Sequence, residues 1–194
     1  MAPSMYTFQL TITDPDQGRF YSTRVHTARH YSESIERLYA RVLAFAHAYR
    51  EGVAFSKGLW EPDQPALWSH DLTGEISSWV EVGAPAAEKL QKMLRRCRNA
   101  ECRVYFFEPR HVEQFVHSLR GLKPDFIERI NFLQINPAFL SARAAHEQRN
   151  SNWSLTFSDP SVIGEIDGRY VETEIQRVEL GDYLGRNGEH SGAI

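Results

Sequence analysis

The chain reads as one compact α/β (mixed α+β) domain, with a mixed β-sheet flanked by helices and antiparallel hairpins at both ends. Three observations predict this. Tyr6, Phe8, Leu10 and Ile12 alternate with polar residues, as a half-buried strand requires. Ile35, Leu38, Tyr39, Val42, Phe45, Ala46 and Tyr49 follow the three-four spacing of a helix with one apolar face. From Val53 onward, strand-like apolar runs alternate with helix-like segments, a rhythm that favours crossovers and some parallel pairing. The 194 residues suit a single domain able to bury about 70% of its unfolded surface.

The elements follow in order. Asp14-Pro15-Asp16-Gln17-Gly18 is dense in turn formers, and alternation resumes from Phe20 to His26, so the first two strands form a hairpin. Ser32 is the expected N-cap of the first helix, Glu33 and Glu36 lie in its first turn, and Gly52 ends it. A short strand is expected within Val53 to Leu59, and a loop from Trp60 to Ser69, which holds Pro62 and Pro65. Ile76 to Val82 reads as a largely buried strand, Ala86 to Arg98 as a helix, and Cys102 to Phe107 as a central strand. A helix is expected from His111 to Leu119 and a strand within Ile127 to Ile135. Asn136 then caps a helix that starts with Pro137. Trp153 to Phe157, Val162 to Ile166 and Tyr170 to Leu180 form a closing meander, with Asp167-Gly168 as a hairpin turn. The domain is expected over residues 1–180, and the Gly-rich polar tail 181–194 is expected to be disordered.

Composition excludes several classes. With 22 basic and 25 acidic side chains the formal charge is −3, so a nucleic-acid contact must be a local patch rather than a general polyanion affinity. No apolar run approaches the ~20 residues of a membrane span, and the start lacks the pattern of a secretory signal. Cys97 and Cys102 do not form a Cys-x-x-Cys pair. These features predict a cytoplasmic protein without a membrane partner. Neither a phosphate-binding glycine loop, nor a serine-hydrolase elbow, nor a zinc-protease motif is present.

The anomaly is Glu81, an acid in the apolar strand Trp79-Val80-Glu81-Val82. A carboxylate there must be paired with a base or hold a hard cation. In the first case Glu81 makes a salt bridge to a neighbouring Lys or Arg. In the second it binds Mg²⁺ or Mn²⁺ together with Asp71, assisted by Glu33, while Lys92 neutralises phosphate charge during metal-assisted phosphodiester hydrolysis. Asp71 is equally suited to a turn. Lys89, Lys92, Arg95, Arg96, Arg98 and Arg103 form a basic stretch. It is either a solvated face that suits the helix dipole or a phosphate-contacting surface in which Lys89, Arg95 and Arg96 position a nucleic-acid backbone.

Taken together, Ala28-Arg29-His30-Tyr31-Ser32-Glu33-Ser34-Ile35-Glu36-Arg37, Gly58-Leu59, Asp63-Gln64-Pro65 with Trp68, Asp71-Leu72-Thr73-Gly74 and Trp79-Val80-Glu81-Val82-Gly83-Ala84-Pro85 resemble the bacterial YaeQ family, and Lys92 falls on its helix lysine. The resemblance implies a restriction-endonuclease-like core with a variant PD-(D/E)XK motif. In that motif Glu81 is the acid, Gly83 stands where lysine is usual, and Lys92 or Lys89 is the migrated lysine. It also implies departures in this chain: Tyr31 for Pro, Gln64 for an acid, and Ser77 for an Asp that Asp71 or Asp63 would have to replace. Two functions follow as expectations. One is an Mg²⁺- or Mn²⁺-dependent nuclease; the other is a non-catalytic module on the same scaffold that binds nucleic acid or protein.

Overall fold

The computed structural model describes residues 3–56, 63–120, 122, 124–181 and 183. The first hairpin consists of β1 (Ser4–Asp14) and β2 (Arg19–Arg29), paired antiparallel along their whole length. Then come α1 (Ile35–His47), the two-residue β3 (Ala54–Phe55), and the hairpin of β4 (Leu67–His70) with β5 (Ile76–Val82). Helix α2 (Ala87–Arg96) crosses over to β6 (Glu101–Phe106), and α3 (His111–Ser118) with a 3-10 turn (Pro124–Arg129) crosses over to β7 (Ile130–Ile135). Both crossovers join parallel neighbours. After α4 (Pro137–Ala144), the strands β8 (Asn150–Ser158), β9 (Ser161–Ile166) and β10 (Arg169–Arg177) form the meander.

The ten strands of the described residues belong to one sheet, in the order β2-β1-β8-β9-β10-β7-β6-β5-β4-β3. Strand β1 runs parallel to β8, with Leu10 opposite Trp153. The first hairpin and the closing meander therefore meet inside the sheet. Strand β10 joins the halves by pairing with both β9 and β7.

Helix α1 explains the shape. Ser34, not Ser32, is its N-cap, accepting from the Arg37 amide at 3.1 Å. Ser32 is occupied with His30 Nδ1, 2.6 Å away. Residues 38 to 46 are all buried, as expected only of a helix surrounded on every side. The sheet curls around it almost into a barrel, so that Phe8, Trp153, Val80 and Tyr105 share one apolar cluster with Leu38 and Leu43. Helix α4 packs against α1 as well. A second cluster lies on the outer face of β5, β6 and β7, where Leu90 and Leu94 of α2 and Phe115 of α3 cover Trp79, Val104, Phe106 and Phe132. The period-two alternation sends Val80 and Val82 toward α1, while Trp79 faces α2.

Several boundaries differ from expectation. Helix α1 ends at His47, and Gly52 lies in a following turn with φ 83°. Only Ala54–Phe55 of the expected 53–59 strand pairs among the described residues, and 57–59 lie outside them. Leu67–His70 is a strand rather than loop, because it completes the hairpin with β5. Helix α2 spans Ala87–Arg96, and β10 ends at Arg177. Of the tail 181–194, residues 182 and 184–194 lie outside the described residues.

Candidate functional site

Strand β5 carries Glu81 to the face covered by α2, where the residue is 7% exposed. Its Oε1 accepts from Trp79 Nε1 at 2.9 Å and lies 2.8 Å from Lys89 Nζ. The ammonium of Lys89 also donates to the Gln64 carbonyl at 2.8 Å. Burial pushes the Glu81 carboxyl above its ordinary range, and Lys89 and the indole N–H pull partly against that. The pair is thus a buried charge held by a half-buried one, as a low-dielectric site demands.

Lys89 reaches Glu81 because it lies in the first turn of α2, just after the break at Gly83. Gly83 itself has φ 112°, backbone that an L side chain rarely adopts. A side chain at that position would strain the chain. The lysine that meets Glu81 is Lys89, while Lys92 is exposed on α2.

The other acids lie elsewhere. Asp71 is exposed in the β4–β5 turn, where its Oδ1 accepts from the Thr73 amide, the Thr73 hydroxyl and the Glu75 amide. The Thr73 hydroxyl and these amides hold its carboxyl below the usual range. Glu33 precedes the cap of α1 instead of lying in its first turn. Its carboxylate accepts two bonds from Arg41, at 2.7 and 2.9 Å, and one from Arg37 at 2.9 Å. Arg41 is 5% exposed and also donates to Thr27 Oγ1 and the Ala28 carbonyl, fastening α1 to β2. Ser77, at the position where the resemblance expects an acid, lies 2.9 Å from the Ser69 hydroxyl across the hairpin. Among the described residues no three His, Cys, Asp or Glu side chains converge as an ion cage. Glu81, Asp71 and Glu33 are each engaged with separate protein partners, so this arrangement does not fit a bound Mg²⁺ or Mn²⁺.

The cations behave differently. Lys92, Arg95, Arg96 and Arg98 are exposed around the C-terminal half of α2, and none makes an ion pair among the described residues. Beside them a groove of about 410 Å³ runs between α2 and the 3-10 turn, lined by Gln91, Arg95, Arg98, Phe126 and Arg129, with Asp125 the one acid in its wall among the described residues. Arg129 donates to the carbonyls of Leu94 and Arg98, closing the end of α2. Sequence spacing could not find Arg129, which arrives from a distant segment. Trp79 was findable, since two residues along a strand share a face. Arg103 points elsewhere and pairs with Glu101. Both cysteines are free thiols, and burial pushes each above its ordinary value.

Over residues 1–175 the chain matches the family described as YaeQ protein. The chain belongs to the YaeQ family. A YaeQ crystal structure from Pseudomonas syringae superimposes with TM-score 0.78 at 30% identity, covering 91% of this chain and 96% of that one. The YaeQ structure from Xanthomonas axonopodis pv. citri gives TM-score 0.81 at 23% identity, over 92% and 99%, and shows the shared fold. Among curated sequences, "Uncharacterized protein YaeQ" of Salmonella typhi is 32% identical over 89 residues, 46% of this chain and 49% of that protein. Its Escherichia coli K12 counterpart is 30% identical over the same span. The chain spans about half the length of these curated relatives in the match. The YaeQ assignment fixes ancestry and fold. No helix among the described residues is long and apolar enough to cross a membrane.

Proposed function

We propose that this chain is a non-catalytic nucleic-acid-binding module on a restriction-endonuclease-related scaffold, gripping the phosphodiester backbone with Lys92, Arg95, Arg96 and Arg98. One contrast carries the reading: Glu81 is consumed by Lys89 and Trp79, whereas Lys92, Arg95 and Arg96 of α2 and Arg98 just after it have no acid partner among the described residues. The scaffold reading is supported by β5, which pairs with β4 as a hairpin and runs parallel to β6 across α2. A local basic face on a chain of net charge −3 gives binding confined to one side, with phosphate contacts that position without reading sequence. Lys89 belongs to the Glu81 pair and not to this surface.

The alternative is hydrolysis at Glu81 with Mg²⁺ or Mn²⁺, and it requires Lys89 to release the carboxylate. The proximity of acid and lysine at the motif's expected place favours it as the second reading. One experiment separates the two. Binding of single- and double-stranded DNA and RNA is measured by fluorescence anisotropy over a salt series, without metal and with each cation. The binding reading expects affinity that falls steeply with salt. Arg95→Ala/Arg96→Ala/Arg98→Ala should flatten the log–log slope by about 2–3 for three lost phosphate contacts. An unchanged slope removes the α2 surface from the proposal. Metal-dependent cleavage by the wild type that disappears in Glu81→Gln replaces the binding reading with the catalytic one.

A further inference from the structure

We infer that the pocket between α4 and the β9–β10 turn binds an oxyanion, a carboxylate or phosphate group, on the guanidinium of Arg143. The pocket is about 250 Å³ and is lined by Arg143, His146, Glu147, Gln148, Asp167 and Arg169. It lies in the meander half of the sheet, apart from the α2 surface, and does not depend on the function proposed above.

Arg143 is 5% exposed, and its Nε is buried without a hydrogen-bond partner. Among the described residues its side chain makes one hydrogen bond, also an ion pair, from Nη2 to Asp167 Oδ2 at 3.4 Å. A guanidinium carries five N–H donors in a planar fork. Leaving the Nε–H desolvated and unused is costly, so a buried arginine is normally met by a carboxylate or phosphate on more than one edge.

Asp167 fills that role only at one edge of the fork, through the 3.4 Å ion pair to Nη2, and both of its oxygens also serve β8. Oδ2 accepts from Ser151 Oγ at 2.6 Å, and Oδ1 accepts from the Asn152 amide at 2.7 Å. The hairpin turn fixes the residue in the left-handed region, φ 52°, with its own amide bound to the Asn152 carbonyl. The carboxylate is therefore held by β8 and meets Arg143 only through Nη2, leaving Nε without a partner. Glu147, the other acid in the wall, is engaged by Arg29 at 3.6 Å and by the Tyr6 hydroxyl. With both acids committed, the pocket has the guanidinium of Arg143 as its base and Arg169, exposed and without an ion pair among the described residues, at its rim. A planar fork in a small recess with a second cation above it is suited to bidentate oxyanion recognition.

The test is a titration of the full chain with inorganic phosphate and, separately, with acetate, followed through the ¹⁵N-labelled arginine Nε–H resonances. A saturable shift of the Arg143 Nε–H is expected with at least one anion, and which anion saturates identifies the chemical class. Arg143→Lys, which keeps charge but loses the fork, should weaken binding about tenfold or more. Arg169→Ala, an exposed change, should weaken it about threefold. No saturable shift with either anion overturns the proposal, as does unchanged affinity in Arg143→Lys. Should that variant not fold, unchanged affinity in Arg169→Ala overturns it instead.

Discussion

Glu33 and Glu81 are both acids set in apolar surroundings, and the chain satisfies them in different ways. Glu33 meets two arginines of the helix that follows it, one of them almost fully buried, so the cluster anchors α1 where β2 ends. Glu81 meets one lysine whose own exposure leaves it in reach of water. His47, at the far end of α1, shows the same logic for a base. Its Nδ1 lies 2.7 Å from the hydroxyl of fully buried Tyr105, and burial, reinforced by Arg103 and Arg19, pushes its pKa down to about 4. The unfolded chain would protonate this ring near pH 6.5. The unfolded state therefore binds the extra proton first on acidification, and stability is lost as pH falls from about 6.5 toward 4. Denaturant melts across that range should show His47→Gln losing less stability than the wild type, with the difference on the order of a few kcal/mol. Parallel curves would remove His47 from the acid response.

At the scale of elements, the strands and helices were largely legible and their partners were not. Alternation placed β1 and β2, and the Asn136-Pro137 start of α4 follows from capping chemistry, with Asn136 accepting from the Ala138 amide at 3.0 Å. The Asp167-Gly168 turn was readable for the same reason. Nothing local marked Gly164. It lies opposite Leu155 in the β8–β9 pair, and a Cβ there would stand 1.9 Å from the Ser154 carbonyl oxygen and 3.0 Å from the Leu155 Cα. Both obstacles are backbone and cannot rotate away. Gly164→Ala should therefore cost more than about 4 kcal/mol, in the exceptional range for one methyl group, as measured by chemical denaturation. A loss below about 1 kcal/mol would mean that β9 shifts freely along β8.

For the whole molecule, the sheet forms two halves joined where β10 bridges β9 and β7, through three residue pairs such as Ile175 with Ile135. That seam is short, yet both isoleucines lie in the cluster around α1, and the same cluster reaches Val80 on one side and Trp153 on the other. Burying α1 on all sides makes the halves mutually dependent, since neither alone covers residues 38–46. Native-state hydrogen exchange should then give the amides of β6 and of β8 the same limiting opening free energy. A lower limit for β4 to β7, as one block, would show that the halves open separately.

The sequence by itself determined the alternation of strands and helices, the hairpins at the ends, the oddity of Glu81 and the family resemblance. Each of these depends on neighbours a few residues apart, where backbone period and side-chain chemistry suffice. Tertiary structure alone decided that the Glu81 carboxylate meets Lys89 while Asp71 closes a turn and Glu33 binds Arg41. It also brought Arg129 to the end of α2 and seated Arg143 against an aspartate that it shares with β8. Charge pairing is settled by distances across the fold, and those distances are set by packing around α1, which spacing along the chain does not encode.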